Sequence, residues 1–319
     1  MKRLPSTFYK YRDFSKNTLD SLCHDRLYFA QPGTFNDPLD CNATVECDSS
    51  PDELQTLLAV LIRKRVTSDV LASLGQARIK GEGATAYAEK RALSEAQSQL
   101  ANIAYNATNP EYTVSKVEAE GWLLTSEVER ELRRHYERGV CCFSTTYNSP
   151  LLWSHYGDQH RGLCIGYTLD RRPKPEPHRV VYCDSRSVPT SLLTRALVHE
   201  DQMAKEELDR NMLLRKARGW GYEKEWRLIG AQGDQDSPLL LKEVTFGLRC
   251  PMSVLHAVTK ALAGRNSPVR YYEVYEVKGR FILHRREIDL DELDVYMPKT
   301  AESGLEIFGD PEYQDPSSK

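Results

Sequence analysis

Glu223 and Glu225 stand one residue apart in GWGYEKEW (219–226), with Arg227 two residues further on. On a strand side chains alternate, so both carboxylates and the guanidinium share one face while Tyr222, Lys224 and Trp226 take the other. A helix would instead pair Glu223 with Arg227 across one turn. The run is short, aromatic-rich and bounded by Gly221 and Gly230, which favours a strand over 222–229. Three uses of the carboxylates stay open. They can serve a cleft, they can form ion pairs on a solvated strand face, or they can join Asp37 and Asp40 as oxygen ligands of Mg²⁺ in a nuclease or phosphoesterase.

The other polar candidates are scattered. Arg12 ends a first aromatic-rich run, and Ser144-Thr145-Thr146 follows the apolar GVCCF. Asn36, Asp37 and Asp40 belong to a loop whose Asn-Asp-Pro is first of all a turn former. His155 and His160 are five apart, so a helix would not put them on one face to hold a metal, and outside the Mg²⁺-dependent alternative no metal site is expected. His155 alone has the chemistry of a base or an acceptor-side contact.

The elements that must position these residues follow from local pattern. TFYKYRDF (7–14) reads as a strand, SKNTLDSL as a short helix capped by Ser15, and RLYFAQP as a second strand stopped by Pro32 and Gly33. Residues 51–138 change to charged, alanine- and leucine-rich sequence with apolar spacings of three and four, predicting amphipathic helices inserted between two parts of one sheet. Strand character returns at GVCCFSTT, GLCIGYTL and HRVVYC, with a helix at LLWSHYGDQH between the first two. Residues 191–218 read as helical; LLLKEVTFG and YYEVYEVKGRFILHRREI read as strands. The pattern predicts one α+β domain over 1–300 with a mixed or antiparallel sheet, and a frayed tail over 301–319. TFYKYR, CCFSTT and YEKEWRLI are expected in one sheet.

Four ordered stretches, YKYRDF, FNDPLD, CFSTTYNSPLLWSHYGDQHRGLCIGY and WGYEKEWRLI, together resemble a bacterial family catalogued as a domain of unknown function. The order of Arg12, Ser144-Thr145-Thr146 and Glu223-x-Glu225 is also similar to the arginine, Ser-Thr-Ser, Glu-x-Glu pattern of toxin-type ADP-ribosyltransferases, which share the opening strand–helix–strand. Thr146 departs from the serine of that pattern. The resemblance implies an ADP-ribosyltransferase-like fold and cleavage of the nicotinamide–ribose bond of NAD. Glu225 would then stabilise the oxocarbenium-like sugar, Glu223 would orient or deprotonate the acceptor, and Ser144 would position the glutamate or ribose. Arg12 would grip the pyrophosphate with a bidentate fork, and Tyr9, Tyr11 or Tyr28 would stack on a ring, with Thr145 and His155 also lining the cofactor side. The acceptor is left open between protein, nucleic acid, small molecule and water. A role as a toxin or phage-defence effector, with an antitoxin or defence-system partner, is what such transferases suggest. A non-catalytic sensor or scaffold, with the helical block as its binding surface, is the remaining alternative.

Bulk properties narrow the classes. Over 319 residues, 40% are hydrophobic and 28% charged, enough for a core, and a formal charge of −3 gives no whole-chain attraction to nucleic acid or anionic membrane. No stretch approaches the roughly 20 apolar residues of a membrane span, and the opening MKRLPSTFYKYRDFS lacks a signal-peptide core, so a cytoplasmic protein without a membrane partner is expected. The eight cysteines form no C-x-x-C pair and several lie in apolar runs, which predicts buried reduced thiols.

Overall fold

Ser15 sits in extended backbone and its hydroxyl accepts from the Thr18 amide, starting the helix Lys16–Cys23 between the strands Phe8–Arg12 and Arg26–Phe29. This opening strand–helix–strand is as its sequence predicts. The computed structural model describes residues 4–136 and 138–299, so the expected tail over 301–319 lies outside the described residues. The chain divides into two compact units, each assembled from separate stretches.

Unit 1 takes the described residues through Arg26, Thr146–Arg172 and those from Ser237 on. Its five-stranded sheet runs in the order Phe8–Arg12, Leu163–Thr168, Leu240–Phe246, Arg270–Glu276, Leu283–Glu287. All neighbours are antiparallel except Leu240–Phe246 with Arg270–Glu276, and the helix Met252–Leu262 supplies the crossover that a parallel pair needs. A bulge between Leu241 and Glu243 resets the alternation. Leu241 therefore lies opposite Tyr167, whereas Glu243 lies opposite Gly166, on the face that also carries Tyr9. The loop after the short helix Pro150–His155 holds Asp158, Gln159 and His160 in the left-handed region, at φ of 47°, 51° and 71°.

Unit 2 takes Leu27–Thr145 and Pro173–Asp236. Residues 51–138 form the predicted helices, Pro51–Gln76, Glu82–Asn106 and Lys116–His135, the first and third opened by capping boxes at Ser50/Glu53 and Ser115/Glu118. They carry much of the apolar core of unit 2. Leu54, Leu57, Leu61 and Ile62 pack with Leu124, Val128 and the helices Thr190–Leu197 and Gln202–Leu213 in one apolar cluster that also takes in Val140 of the sheet. An alanine row at Ala84, Ala88, Ala92 and Ala96 gives Glu82–Asn106 a slim buried face. The sheet of unit 2 has three antiparallel strands, with Trp226–Gly230 between Gly139–Phe143 and His178–Arg179.

Two expectations need correction. Phe8–Arg12 is not in one sheet with Gly139–Phe143 and Trp226–Gly230. Nor is 222–229 a continuous strand: Arg218–Glu223 is a 3₁₀ turn, Lys224 is left-handed at φ 48°, and the strand starts at Trp226. Tertiary hydrogen bonds from Ser144 to the Glu223 carbonyl and from Trp220 to Asp37 hold the turn and outweigh the aromatic β propensity of the segment. The expected thiols are all free, but their burial is mixed: Cys141 and Cys164 are buried, Cys23 and Cys47 exposed.

Candidate functional site

Arg227 is the centre of the site in unit 2. It lies on the middle strand of the three-stranded sheet, is 0% exposed, and spends its whole fork on protein partners. Nε donates to Glu225 Oε1 at 2.7 Å, and Nη1 to the Leu213 carbonyl at 2.7 Å and to Cys41 Sγ at 2.8 Å. Nη2 donates to both oxygens of Asp40, at 2.9 and 2.8 Å. A buried guanidinium is tolerable only when its donors are satisfied in this way.

Lys216 closes the network from the other side. Its ammonium lies 2.6 Å from Glu223 Oε2, 3.0 Å from Glu225 Oε2 and 3.4 Å from Asp40 Oδ2. Three carboxylates thus face two cations, all of them 8% exposed or less. Burial opposes the charge on Glu225, but Arg227 and Lys216 outweigh it and hold the carboxyl down at about 2. Burial likewise opposes the ammonium of Lys216, and the Glu225, Asp40 and Glu223 charges raise it well above the ordinary lysine range. Cys41, in left-handed backbone at φ 52°, has its thiol pushed up to about 12, chiefly by burial. It is therefore a protonated packing partner at neutral pH, not a nucleophile.

The loop and the turn that carry these residues dock on each other. Asp37 accepts from Trp220 Nε1 at 2.7 Å and from the Leu39 amide, so it anchors the FNDPLD loop to the GWGYEKEW turn. Asp40 does the same for the strand through Arg227. Ser144 Oγ donates to the Glu223 carbonyl at 2.7 Å, fixing the turn from the end of Gly139–Phe143. Tyr182 accepts from the Glu225 amide at 2.8 Å. The turn therefore does what the strand was expected to do: it brings Glu223 and Glu225 together, around one ammonium. The face is enclosed, which corrects the reading of it as a solvated strand.

Beside the network lies a cavity of about 440 Å³. Asp40, Cys41 and Asn42 form part of its wall, and Arg133, Arg134 and Tyr136 another part. Arg133 is paired with Glu129 and Arg134 with Glu131, and both arginines are about half exposed. The volume is that of an ordinary small-molecule site.

The remaining sequence candidates fall elsewhere. Tyr28 is 46% exposed in unit 2, and Thr145 is partly buried there. Arg12, Tyr9, Tyr11 and His155 belong to unit 1. Within that sheet Arg12 alternates onto the face opposite Tyr9 and Tyr11, so these three do not form one grip. Tyr9 donates to Glu243 and Tyr11 to the Thr146 carbonyl, and both rings are buried, so neither presents an open face for stacking. His155 is exposed at the end of its helix.

Lys216 and Tyr182 escaped sequence reading. LLRKARG looks like the end of a helix, yet the helix stops at Leu213, and Arg215–Ala217 pairs in parallel with Val181–Cys183. Pairing decided at long range overrides the helix propensity of those residues.

Residues 152–228 match the family model described as a protein of unknown function, DUF2971. The DUF2971 stretch contains Lys216, Glu223, Glu225 and Arg227 and stops short of Asp40 and Ser144. No curated protein and no solved structure matches the chain. Among the described residues, no helix is long and apolar enough to cross a membrane, and no group of three His, Cys, Asp or Glu is arranged to hold a metal ion.

Proposed function

We propose that the chain is an NAD-consuming, ADP-ribosyltransferase-like enzyme with an ADP-ribosyltransferase-like fold, whose chemistry centres on Glu225. The observation that carries the reading is the 2.7 Å hydrogen bond from Ser144 Oγ to the Glu223 carbonyl. It joins the Ser-Thr motif to the Glu-x-Glu motif at one place, although 79 residues separate them. Glu225 is held ionised, as a carboxylate must be to face a developing sugar cation. The neighbouring cavity, with Arg133 and Arg134 in its wall, has guanidiniums suited to phosphate.

The reading makes a demand on Lys216. Both Glu225 oxygens are engaged, one by Arg227 and one by Lys216. A ribose hydroxyl must therefore replace Lys216 at Oε2, and the 3.0 Å contact there is the longer of that ammonium's two carboxylate hydrogen bonds. Lys216 then stays on Glu223.

A second reading has its own observation. Arg227 is fully buried with every N–H used, which is what a purely structural lock between loop, turn and strand requires. The metal-dependent phosphoesterase is less favoured, because cations of the chain already occupy the space between Asp40, Glu223 and Glu225 and Asp37 is committed to Trp220.

Mass spectrometry of NAD incubated with the protein, EDTA and cell lysate tests the proposal. Nicotinamide release with a mass-shifted acceptor supports it and identifies the acceptor class. NAD left intact by protein, nucleic-acid and small-molecule fractions alike, with phosphodiester cleavage on adding Mg²⁺ or Mn²⁺, would replace it with the metal-dependent reading.

A further inference from the structure

We propose that one face of the five-stranded sheet in unit 1 carries a phosphate-binding site centred on Arg285. Tyr9, Gly166, Glu243 and Arg270 are register partners across four adjacent strands, and Arg285, opposite Val274 on the fifth, lies on the same face and reaches back to Glu243. Gly166 makes the row possible. A Cβ there would stand 2.5 Å from Glu243 Cγ, so the missing side chain is the space in which Glu243 lies. Through that space Tyr9 donates to Glu243 at 2.9 Å.

Glu243 is 2% exposed and also accepts from Arg285 Nη1 at 2.7 Å and Arg270 Nη2 at 3.1 Å. Within this hydrogen-bonded cluster one carboxylate faces two guanidiniums, and Glu287, opposite Tyr272, adds a carboxylate further along the same face. Arg285 is stacked between the rings of Tyr147 and Tyr272, 4.1 Å from each centroid. Its protein hydrogen bonds, to Glu243 and Thr245, use Nη1 alone. Among the described residues its Nε–Nη2 edge has no partner, nor have Nε and Nη1 of Arg270, and neither is a buried orphan. The side chains are 17% and 61% exposed.

A planar Nε–Nη2 edge is the fork that binds two oxygens of a phosphate, and ring stacking on both sides orients it before any ligand arrives. A carboxylate would be filled by that edge alone. A phosphate has a further oxygen for Arg270. Both rings already stack on Arg285, and Arg270 also lies 5.7 Å over Tyr272. Recognition is thus of the phosphate group itself, whether a nucleotide or a sugar phosphate brings it.

Calorimetric titration of the full chain with pyrophosphate, ADP and ribose 5-phosphate at constant ionic strength tests this. Saturable binding of at least one is expected, weakened about tenfold or more in Arg285→Lys, which keeps the charge and loses the fork. ADP binding without ribose 5-phosphate would assign a nucleotide, and the reverse a sugar phosphate. The wild type provides a second reading that needs no variant: the bound compound should slow modification of Arg285 by phenylglyoxal, followed by peptide mass spectrometry. No saturable binding of the three at millimolar concentration overturns the proposal, as does binding that leaves Arg285 unprotected or is unchanged in a folded Arg285→Lys. NAD turnover is not measured in any arm, so this outcome stands apart from that of the transferase reading.

Discussion

The two units each bury a carboxylate against arginine, and they do so to different ends. In unit 2 Asp40, Glu223 and Glu225 outnumber Lys216 and Arg227, and no member is more than 8% exposed. In unit 1 Glu243 is outnumbered by Arg270 and Arg285, one of which is mostly in solvent. The closed network leaves Arg227 no spare donor, whereas the open one leaves Arg285 a whole edge. Burial of a charge is costly unless its partners are complete, so the closed set must be fully paired to exist at all. The open set can keep donors in reserve because water serves them.

The strongest way to break this contrast is to remove one cation from each. Arg227→Ala should cost about 3–5 kcal/mol in urea unfolding, since it strands Asp40 and Glu225 in the interior. Arg270→Ala, at a side chain 61% exposed, should cost under about 1 kcal/mol. Equal losses would erase the distinction.

Acid sharpens it next. Glu225 has its carboxyl lowered from an ordinary 4.5 to about 2, opposed by burial and driven by Arg227 and Lys216. A lowered pKa contributes stability that is fully present above 4.5 and is lost as pH falls through about 2. Urea midpoints taken between neutral pH and pH 2 should fall progressively below 4.5 in the wild type, and the fall should shrink in Lys216→Met, where Glu225 has lost one of its cations. An undiminished acid transition in that variant would contradict the assigned role of Lys216.

The smallest effect expected is that of Ser144→Ala. It removes one neutral hydrogen bond to the Glu223 carbonyl and should cost about 1 kcal/mol. If the turn also positions Glu225 for chemistry, NAD turnover should fall by more than the stability change explains. Proportionate changes would leave Ser144 a structural tether.

How much of this was legible in the sequence varied with the range of the interaction. Ser15 as a cap, the helices in 51–138 and the strand character of Arg270–Glu276 and Leu283–Glu287 are local, and periodicity and cap chemistry reveal them. The closeness of Glu223, Glu225 and Arg227 was also readable, though the 3₁₀ turn reaches it by a different backbone path. Asp40 against Arg227 spans 187 residues, and no local pattern announces it. Lys216 was hidden by helix-favouring neighbours, and the side of the sheet on which Glu243 appears depends on a bulge. Gly166 looked like one more residue of an apolar strand; its reason is a side chain two strands away from Tyr9.

The central claim is that Glu225 acts on NAD and Asp40 merely holds the network together. It is tested most directly by nicotinamide release per folded molecule in Glu225→Gln and Asp40→Asn, measured side by side well below the melting temperature of either. Both variants neutralise one carboxylate of the same buried set, so both should lose stability. The account predicts that Glu225→Gln loses at least about a hundredfold in turnover, roughly 2.7 kcal/mol of barrier, while Asp40→Asn keeps turnover within about tenfold of wild type. Parallel losses in the two, following the folded fraction alone, would contradict it and leave the network as a lock.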